Sequence, residues 1–461
     1  MIPVHVGLFG HVDHGKTELA RALSEKVSTA GLDGHPEAKR RQMTIDIGFT
    51  AFTLGDYLVT LVDVPGHADL VRTAVSGANI IDLAILVVSA KQGPQIQTGE
   101  HLVLLESLKI RKLLVALTYA DLVEESKLSE SKESVRKVIS DSSYADAPVV
   151  AVSSITGLGL PELKKTLLSL LSPPERDVDG KFKMVIDHSF PIKGAGTVVT
   201  GTIMRGKVKV GDDVEISPIG AICRVKSIQT FSEPREKAEA GDRVGIALQG
   251  VDHRSIYRGC YASSPKSLRT TFHLLFGGCV SKFFKHEIAP GLSMHAAVGM
   301  SSIQSQVFPY LTNEQQEFVV ASAPKERDFT SYIRLSKSVV VEKGDKMLLL
   351  LLSLPPTNLR IAAGGTVLET LTNPPPLKVL EKKSGAVTRI TPRANVIVSG
   401  LAKSKIGAEK IIGKTISKEN GDNGTVSSAF GGKGLVVAEF ERLPQLGEKV
   451  FLRRYRDFNI P

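Results

Sequence analysis

The segment Gly10-His11-Val12-Asp13-His14-Gly15-Lys16-Thr17 constrains this chain more than any other. It follows an apolar run at residues 4–9. It precedes a stretch whose apolar positions, Leu19, Ala22, Leu23 and Val27, recur near helical spacing. Buried strand, glycine-rich loop and helix, in that order, make a phosphate-binding loop. In this arrangement Gly10 and Gly15 let backbone N–H groups turn toward a β-phosphate. Lys16 reaches the β- and γ-phosphates, and the Thr17 hydroxyl becomes a ligand for Mg²⁺. Asp13 and His14 lie in the same loop and count with it as nucleotide-binding positions.

Residues 58–62 read as a second buried strand, ending in Asp63-Val64-Pro65-Gly66-His67. An Asp at a strand tip beside a phosphate loop is placed to hold Mg²⁺ through water. Gly66 can offer its N–H to a γ-phosphate, and His67 stands where an attacking water is positioned. Further strands are expected at 83–89, 113–117 and 149–152, with helical stretches between them. That alternation predicts an α/β domain with a doubly wound, mostly parallel sheet, its ligands at the carboxyl ends of the strands. Two such ends carry Thr118-Tyr119-Ala120-Asp121 and Ser153-Ser154. Asp121 can accept two hydrogen bonds from guanine N1–H and N2–H₂, which adenine does not supply. The loop at Ser153 and Ser154 can cover the guanine O6 with a backbone N–H.

Beyond Pro173-Pro174 the helical pattern gives way to short alternating segments, the signature of β-barrels. Glycine–acid turns recur at Gly211-Asp212, Gly241-Asp242, Gly344-Asp345 and Gly447-Glu448. Breaks near 173–174, 263–266 and 373–376 divide the 461 residues into four domains: 1–174, 175–265, 266–373 and 374–461. The last of these holds 16 Lys+Arg against 8 Asp+Glu, and so carries +8 of the chain's +10. A concentrated basic surface is the footprint of a nucleic-acid or ribosomal partner. No apolar run approaches the ~20 residues that span a bilayer, and no leader is recognised, so no membrane partner is expected. The three cysteines, Cys223, Cys260 and Cys279, lie far apart, which argues against zinc and disulfides and fits a reducing cytoplasm.

The loop, the Asp63–His67 segment and Arg40-Arg41-Gln42-Met43-Thr44-Ile45-Asp46 together resemble a translational GTPase of the elongation factor Tu class. The resemblance implies a P-loop GTPase domain followed by three β-barrel domains. It implies GTP/GDP and Mg²⁺ as cofactors, Thr44 as the second Mg²⁺ hydroxyl, and Val12 and Met43 as an apolar gate before the catalytic His67. The usual Asn-Lys-x-Asp is Thr118-Tyr119-Ala120-Asp121 here, and Tyr119 can replace the lost lysine stem by stacking on the base. The segment running from Asp187-His188 through Pro191-Ile192-Lys193-Gly194 resembles most the archaeal-type selenocysteine-specific elongation factors. So do Leu354-Pro355-Pro356-Thr357 and Phe430-Gly431-Gly432-Lys433-Gly434.

That resemblance implies selenocysteinyl-tRNA and the ribosome as partners, delivery at recoded UGA codons, and an mRNA hairpin or its binding protein as the partner of domain four. It also implies a selenocysteine pocket at Asp187, His188 and Arg258. There Arg258 supplies charge, and His188 is a donor oriented by Asp187. A paralogue with another tRNA or ribosome role remains an alternative, as does a carrier of initiator tRNA resembling an initiation-factor γ subunit, whose zinc-binding cysteine cluster this chain lacks. In domain four, Lys403, Lys405 and Lys410 are expected on one helix ending at Gly413, with Lys433, Arg453, Arg454 and Arg456 as further contacts.

The base-reading assignment is testable directly. Asp121→Asn should relax guanine preference and admit xanthosine triphosphate, because an amide can pair with the xanthine carbonyl. Nucleotide competition that shows an unchanged preference would remove Asp121 as the reader.

Overall fold

The computed structural model describes residues 1–27, 47–65, 80–194, 196–324, 327–355, 357–392 and 394–460. The expectations placed on Arg40, Met43, Thr44, Gly66 and His67 lie outside the described residues. The N-terminal apolar run forms β1 (Ile2–Phe9), whose last six residues are buried. A strand covered on both faces sits inside a sheet. The elements that follow it are α1 (Lys16–Leu23), β2 (Lys26–Val27), β3 (Gly48–Leu54), β4 (Tyr57–Asp63) and β5 (Leu83–Ser89). After these come α2 (Ile96–Ser107), β6 (Leu113–Thr118), α3 (Glu125–Ser140), β7 (Val149–Ala151) and α4 (Leu160–Leu170).

The strand order is β2-β3-β4-β1-β5-β6-β7. β1, β4, β5, β6 and β7 run parallel, whereas β3 is antiparallel to β4. Leu8 stands opposite Asp63, and Ser89 opposite Thr118, so the strand ends carrying the motifs lie along one edge of the sheet. β3 was not among the strands read from the sequence. Its residues follow directly on a stretch read as a nucleotide motif, and five of its seven are buried.

The second domain contains β8 (Lys183–Ile192), β9 (Gly196–Arg205), β10 (Lys207–Lys209), β11 (Asp213–Ser217) and β12 (Ala221–Thr230). It continues with β13 (Glu233–Arg235), β14 (Lys237–Glu239), β15 (Arg243–Gln249) and β16 (Tyr261–Ser263). Here β11-β16-β8-β9-β15-β12 closes on itself through a β11–β12 ladder. The next strands are β17 (Thr270–Val280), β18 (Leu292–Val298), β19 (Ser301–Thr312), β20 (Phe318–Val320), β21 (Asp328–Val340), β22 (Lys346–Leu350) and β23 (Ile361–Leu371). Of these, β18-β22-β23-β17-β21-β19 form a second ring, closed by β18–β19. Closure removes the sheet edges that an open antiparallel sheet would expose. The four glycines of the recurring turns all have positive φ, from 81° to 99°, where a Cβ would strain the backbone.

Two compact units result. The first is Met1–Phe308 with Ala323–Pro374, and the second is Pro309–Ser322 with Pro375–Pro461. Residues 309–322, kept with the third domain in the sequence reading, group with the C-terminal residues because β20 runs parallel to the strand that begins at Leu377. In that second unit β24 (Leu377–Ile390), β25 (Val396–Ser399), α5 (Lys405–Glu409), β26 (Thr415–Lys418), β27 (Asn423–Phe430), β28 (Leu435–Phe440) and β29 (Lys449–Asp457) follow in order. The ring β24-β25-β28-β27-β26-β29 closes through β24–β29. The helix expected to carry Lys403, Lys405 and Lys410 is a correction: α5 spans only five residues. Ser404 caps it by accepting from the Gly407 N–H, so Lys403 precedes the helix and Lys410 is its C-cap. Leu401, Ala408 and Ile411 are buried, but Ile412 is exposed.

Inside the first unit, a buried and a half-buried ion pair join the domains. Glu100 of α2 and Arg360, just before β23, form a bidentate pair with Nη2–Oε2 at 3.0 Å. Lys183 of β8 meets Glu342 at 2.8 Å. Removing one member of a buried pair leaves an uncompensated charge. Arg360→Leu should therefore destabilise the first unit by about 3–5 kcal/mol, while adding Glu100→Leu should restore most of that stability. Chemical denaturation of the two variants checks this, and equal losses would show the cost to be packing rather than charge.

Candidate functional site

The loop after β1 has the geometry of an anion cradle. Gly10 has φ 143°, and a Cβ there would lie 2.1 Å from the Val87 carbonyl oxygen, so only glycine fits. Gly15 is left-handed at φ 83° and begins α1 with no side-chain cap, so the first N–H groups of the helix are available to a phosphate. Lys16 is buried and its Nζ donates to the carbonyls of Gly10 (3.0 Å) and His11 (2.7 Å). Burial lowers its pKa to about 8 against the opposing pull of Asp63 and Asp13. The Thr17 hydroxyl donates to Asp63 Oδ2 at 2.6 Å, bringing together the two described groups assigned to Mg²⁺. Among the described residues no group of three His, Cys, Asp or Glu side chains could hold a metal ion.

Two histidines brace the loop from beneath. His101 of α2 accepts the Gly10 N–H on Nδ1 at 2.9 Å. Burial, then Lys16 and His11, lower its pKa to about 3. It was not nominated from the sequence, where a lone histidine inside an apolar helix carries no signal. His14 is fully buried, with Nδ1 3.3 Å from the Val87 carbonyl, and burial lowers its pKa to about 4. Its side chain is therefore out of reach of solvent. Asp13 is exposed at the outer lip, in a left-handed conformation.

The base-side loops converge on the same edge. The Thr118 hydroxyl donates to the His14 carbonyl at 2.7 Å. Tyr119, left-handed at φ 57°, donates its hydroxyl to the Asp13 carbonyl at 3.2 Å. A Cβ on Gly15 would stand 3.4 Å from that hydroxyl, so the ring rests against the phosphate loop. Asp121 is exposed on the 3₁₀ turn that follows β6. The Ala120 N–H donates to Val152 O, which joins this turn to the Ser153–Ser154 loop. The Ser153 N–H is committed to Leu158 O, so a backbone donor toward a base falls to half-buried Ser154.

A second polar cluster lies in barrel two. Asp187 is fully buried and accepts from Arg243 Nη1 at 2.6 Å, from the Thr200 hydroxyl at 2.6 Å and from His188 Nδ1 at 2.8 Å. Burial would raise its pKa, but the Arg243 guanidinium and His188 hold it well below the usual carboxylate range. The bond to Asp187 fixes the His188 ring. The arginine on this carboxylate is Arg243. Arg258 is half-buried on a turn whose Gly259 N–H donates to Ile186 O. Arg243 is 4% exposed, its Nε has no hydrogen-bond partner among the described residues, and it lines a cavity of about 130 Å³ with Phe190, Thr200, Gln229 and Phe231. Neither His188 nor Arg258 lines that cavity.

Three family models match the chain: the elongation factor Tu GTP binding domain over residues 3–173, elongation factor Tu domain 2 over 196–262, and domain III of the archaeal selenocysteine-specific elongation factor over 274–370. A selenocysteine-specific elongation factor of Methanocaldococcus jannaschii is 40% identical over 98% of this chain and 97% of its own length. One from Mus musculus is 31% identical over 94% of this chain and 87% of its own length. The crystal structure of translation elongation factor SelB from Methanococcus maripaludis with the GTP analogue GppNHp superposes with a TM-score of 0.84 at 37% identity, over 100% of this chain and 99% of that one.

The neutral His101 makes stability pH-dependent. Its pKa is lowered on folding, so the unfolded state takes up protons first. The stabilisation is full above the ordinary value near 6.5 and is lost as pH falls toward about 3. The slope should be about 1.4 kcal/mol per pH unit for this residue. His101→Gln keeps an acceptor for Gly10 without a titrating ring and should flatten the acid limb of thermal melts between pH 6 and 4. An unchanged limb would locate the sensitivity elsewhere.

Proposed function

The chain belongs to the selenocysteine-specific elongation factors, and from that membership we propose that it is a GTPase that binds selenocysteinyl-tRNA and delivers it to the ribosome at recoded UGA codons. The observation that carries the substrate assignment is Arg243, a buried cation beside a cavity, with one guanidinium nitrogen unpaired. At neutral pH a selenol is ionised and a serine hydroxyl is not. A desolvated cation therefore favours the first over the second.

In this reading Arg243 supplies the charge, Asp187 holds Arg243 and orients His188, and Arg258 belongs to the rim on the adjoining turn. GTP brings its phosphates to the Gly10–Gly15 loop, where Lys16 exchanges its two carbonyl partners for phosphate oxygens. Thr17 and, through water, Asp63 would hold Mg²⁺, which supplies charge neutralisation on the β- and γ-phosphates. Asp121 reads guanine, with Thr118 and Tyr119 fixing its loop against the phosphate loop, and Ser153 and Ser154 close the base side. Thr44, Gly66 and His67 keep the roles that the resemblance gives them: second hydroxyl on the metal, N–H toward the γ-phosphate, and positioner of the attacking water.

The basic fourth domain serves RNA or a ribosome-bound partner. Lys403, Lys405, Lys410, Lys433 and Arg453 are all exposed, whereas Arg454 and Arg456 are paired with Glu381. An mRNA hairpin, or a protein bound to one, is the partner this surface suits through backbone phosphates.

Equilibrium binding of selenocysteinyl-tRNA and seryl-tRNA built on one tRNA body tests the reading. The protein loaded with a GTP analogue should prefer the selenocysteinyl form. Arg243→Ala should cut that preference roughly 10–100-fold, the loss of a charge-assisted contact, with seryl-tRNA little changed. Arg258→Ala should cut it less. Equal binding of both tRNAs by the wild-type protein would sink the substrate assignment.

A further inference from the structure

The end of β6 is tied to the phosphate loop by two consecutive hydroxyls. Thr118 donates to the His14 carbonyl at 2.7 Å, and Tyr119 donates to the Asp13 carbonyl at 3.2 Å. The Val88 carbonyl stands 3.2 Å from the same Thr118 hydroxyl. That hydroxyl has one proton, faces two carbonyl oxygens and belongs to a residue 1% exposed. Turning the proton toward a ligand would withdraw it from both buried acceptors, at the cost of a lost hydrogen bond. Tyr119 behaves alike. Burial, with Asp13 and Glu18 nearby, raises its pKa, so the phenol keeps its proton and remains a donor.

Guanine presents donors at N1 and N2 and acceptors at O6 and N7. Asp121 suits the two donors, and Ser154 suits O6. N7 needs a further donor. An asparagine in place of Thr118 would have two amide protons, one for the His14 carbonyl and one for a base, whereas threonine has only the first. Two neighbouring N–H groups are committed as well, that of Ala120 to Val152 O and that of Ser153 to Leu158 O. The Ser153 hydroxyl accepts the Thr156 N–H at 3.1 Å and lies on a residue 1% exposed, out of a ligand's reach.

We propose that this site reads guanine without a contact to N7, because the Thr118 and Tyr119 hydroxyls serve the phosphate loop rather than the base. Base selectivity then rests on Asp121 and Ser154, and a guanine nucleotide with carbon at position 7 is as good a ligand as GTP. The proposal rests on the reading of this edge as the guanine site.

The test displaces a fluorescent GDP derivative from the full chain with GTP, 7-deaza-GTP and inosine triphosphate in turn. GTP and 7-deaza-GTP should bind within about twofold of each other, less than one neutral hydrogen bond is ordinarily worth. Inosine triphosphate lacks the N2 amino group. It should bind roughly 10–100-fold more weakly, having given up a hydrogen bond to a carboxylate. Thr118→Val removes the hydroxyl at nearly constant shape, and should weaken GTP and 7-deaza-GTP by the same factor. If that variant fails to fold, the wild-type ratio of GTP to 7-deaza-GTP decides alone. A wild-type preference for GTP over 7-deaza-GTP beyond about twofold overturns the proposal and leaves the guanine site standing. Thr118→Val that weakens GTP alone also overturns it, because the hydroxyl would then have reached N7. Inosine triphosphate binding as tightly as GTP brings down the reading of Asp121, and this inference with it.

Discussion

A guanidinium taken out of water must be repaid on every side, and Arg243 is the residue on which that requirement bears hardest. At 4% exposure it would carry a prohibitive desolvation cost if left alone. Barrel two supplies Asp187 in its own wall, and the GTPase domain supplies the face of Phe49. Neither domain by itself provides a complete environment for the cation. The same logic recurs at Glu100 and Arg360, where α2 and the third domain each hold half of a bidentate pair, and at Lys183 and Glu342 between the two barrels. The first unit is therefore joined by charge pairs as well as by apolar contact.

Helix α2 shows how such a joint reaches the chemistry. Two successive residues face different tasks: Glu100 binds Arg360 of the third domain, and His101 accepts the N–H of Gly10 in the phosphate loop. The acceptor role requires an unprotonated Nδ1, and burial together with Lys16 guarantees it by holding the pKa near 3. A carboxylate in its place would pull Lys16 out of the loop, and a protonated histidine would repel it. The loop's shape is thus set by a neutral acceptor on a helix that is itself anchored to a barrel.

What the sequence made legible is what contiguous residues carry. The Gly10–Thr17 loop, the strands ending at Asp63, Thr118 and Ala151, and the glycine–acid turns each declare themselves within a dozen residues. The same holds for Asp187-His188, which are neighbours in the chain. The partners that complete the sites are distant: Arg243 lies 56 residues from Asp187, Gly241 lies 236 from His5, and Arg360 lies 260 from Glu100. No local pattern distinguishes Arg243 from Arg258, since each lies within two residues of a glycine. Only the closure of β8, β9 and β15 into one ring decides which guanidinium meets the carboxylate. The helix expected to carry Lys403, Lys405 and Lys410 failed for the opposite reason. Ser404 caps the helix late and it ends at Glu409, short of Gly413, so a five-residue α5 suffices to bury Ala408, and Ile411 is buried just beyond it.

The last 88 residues handle charge differently from the rest of the chain, and the contrast follows from composition. In residues 1–373 acids and bases nearly balance, and the cations described above are spent on internal carboxylates. In 374–461 the bases outnumber the acids two to one, so internal pairing cannot consume them. Lys418 with Asp422, Lys378 with Asp457, and Arg454 and Arg456 sharing Glu381 account for three of the few carboxylates there. The ring β24–β29 closes on an apolar core that needs none of the remaining cations for its stability. Lys382 and Arg453 stand directly opposite each other across β24 and β29, where like charges disfavour the sheet unless something neutralises them. A solvated surface that keeps unpaired cations at mutual cost is best relieved by a polyanion, whose condensed counterions are released when it docks.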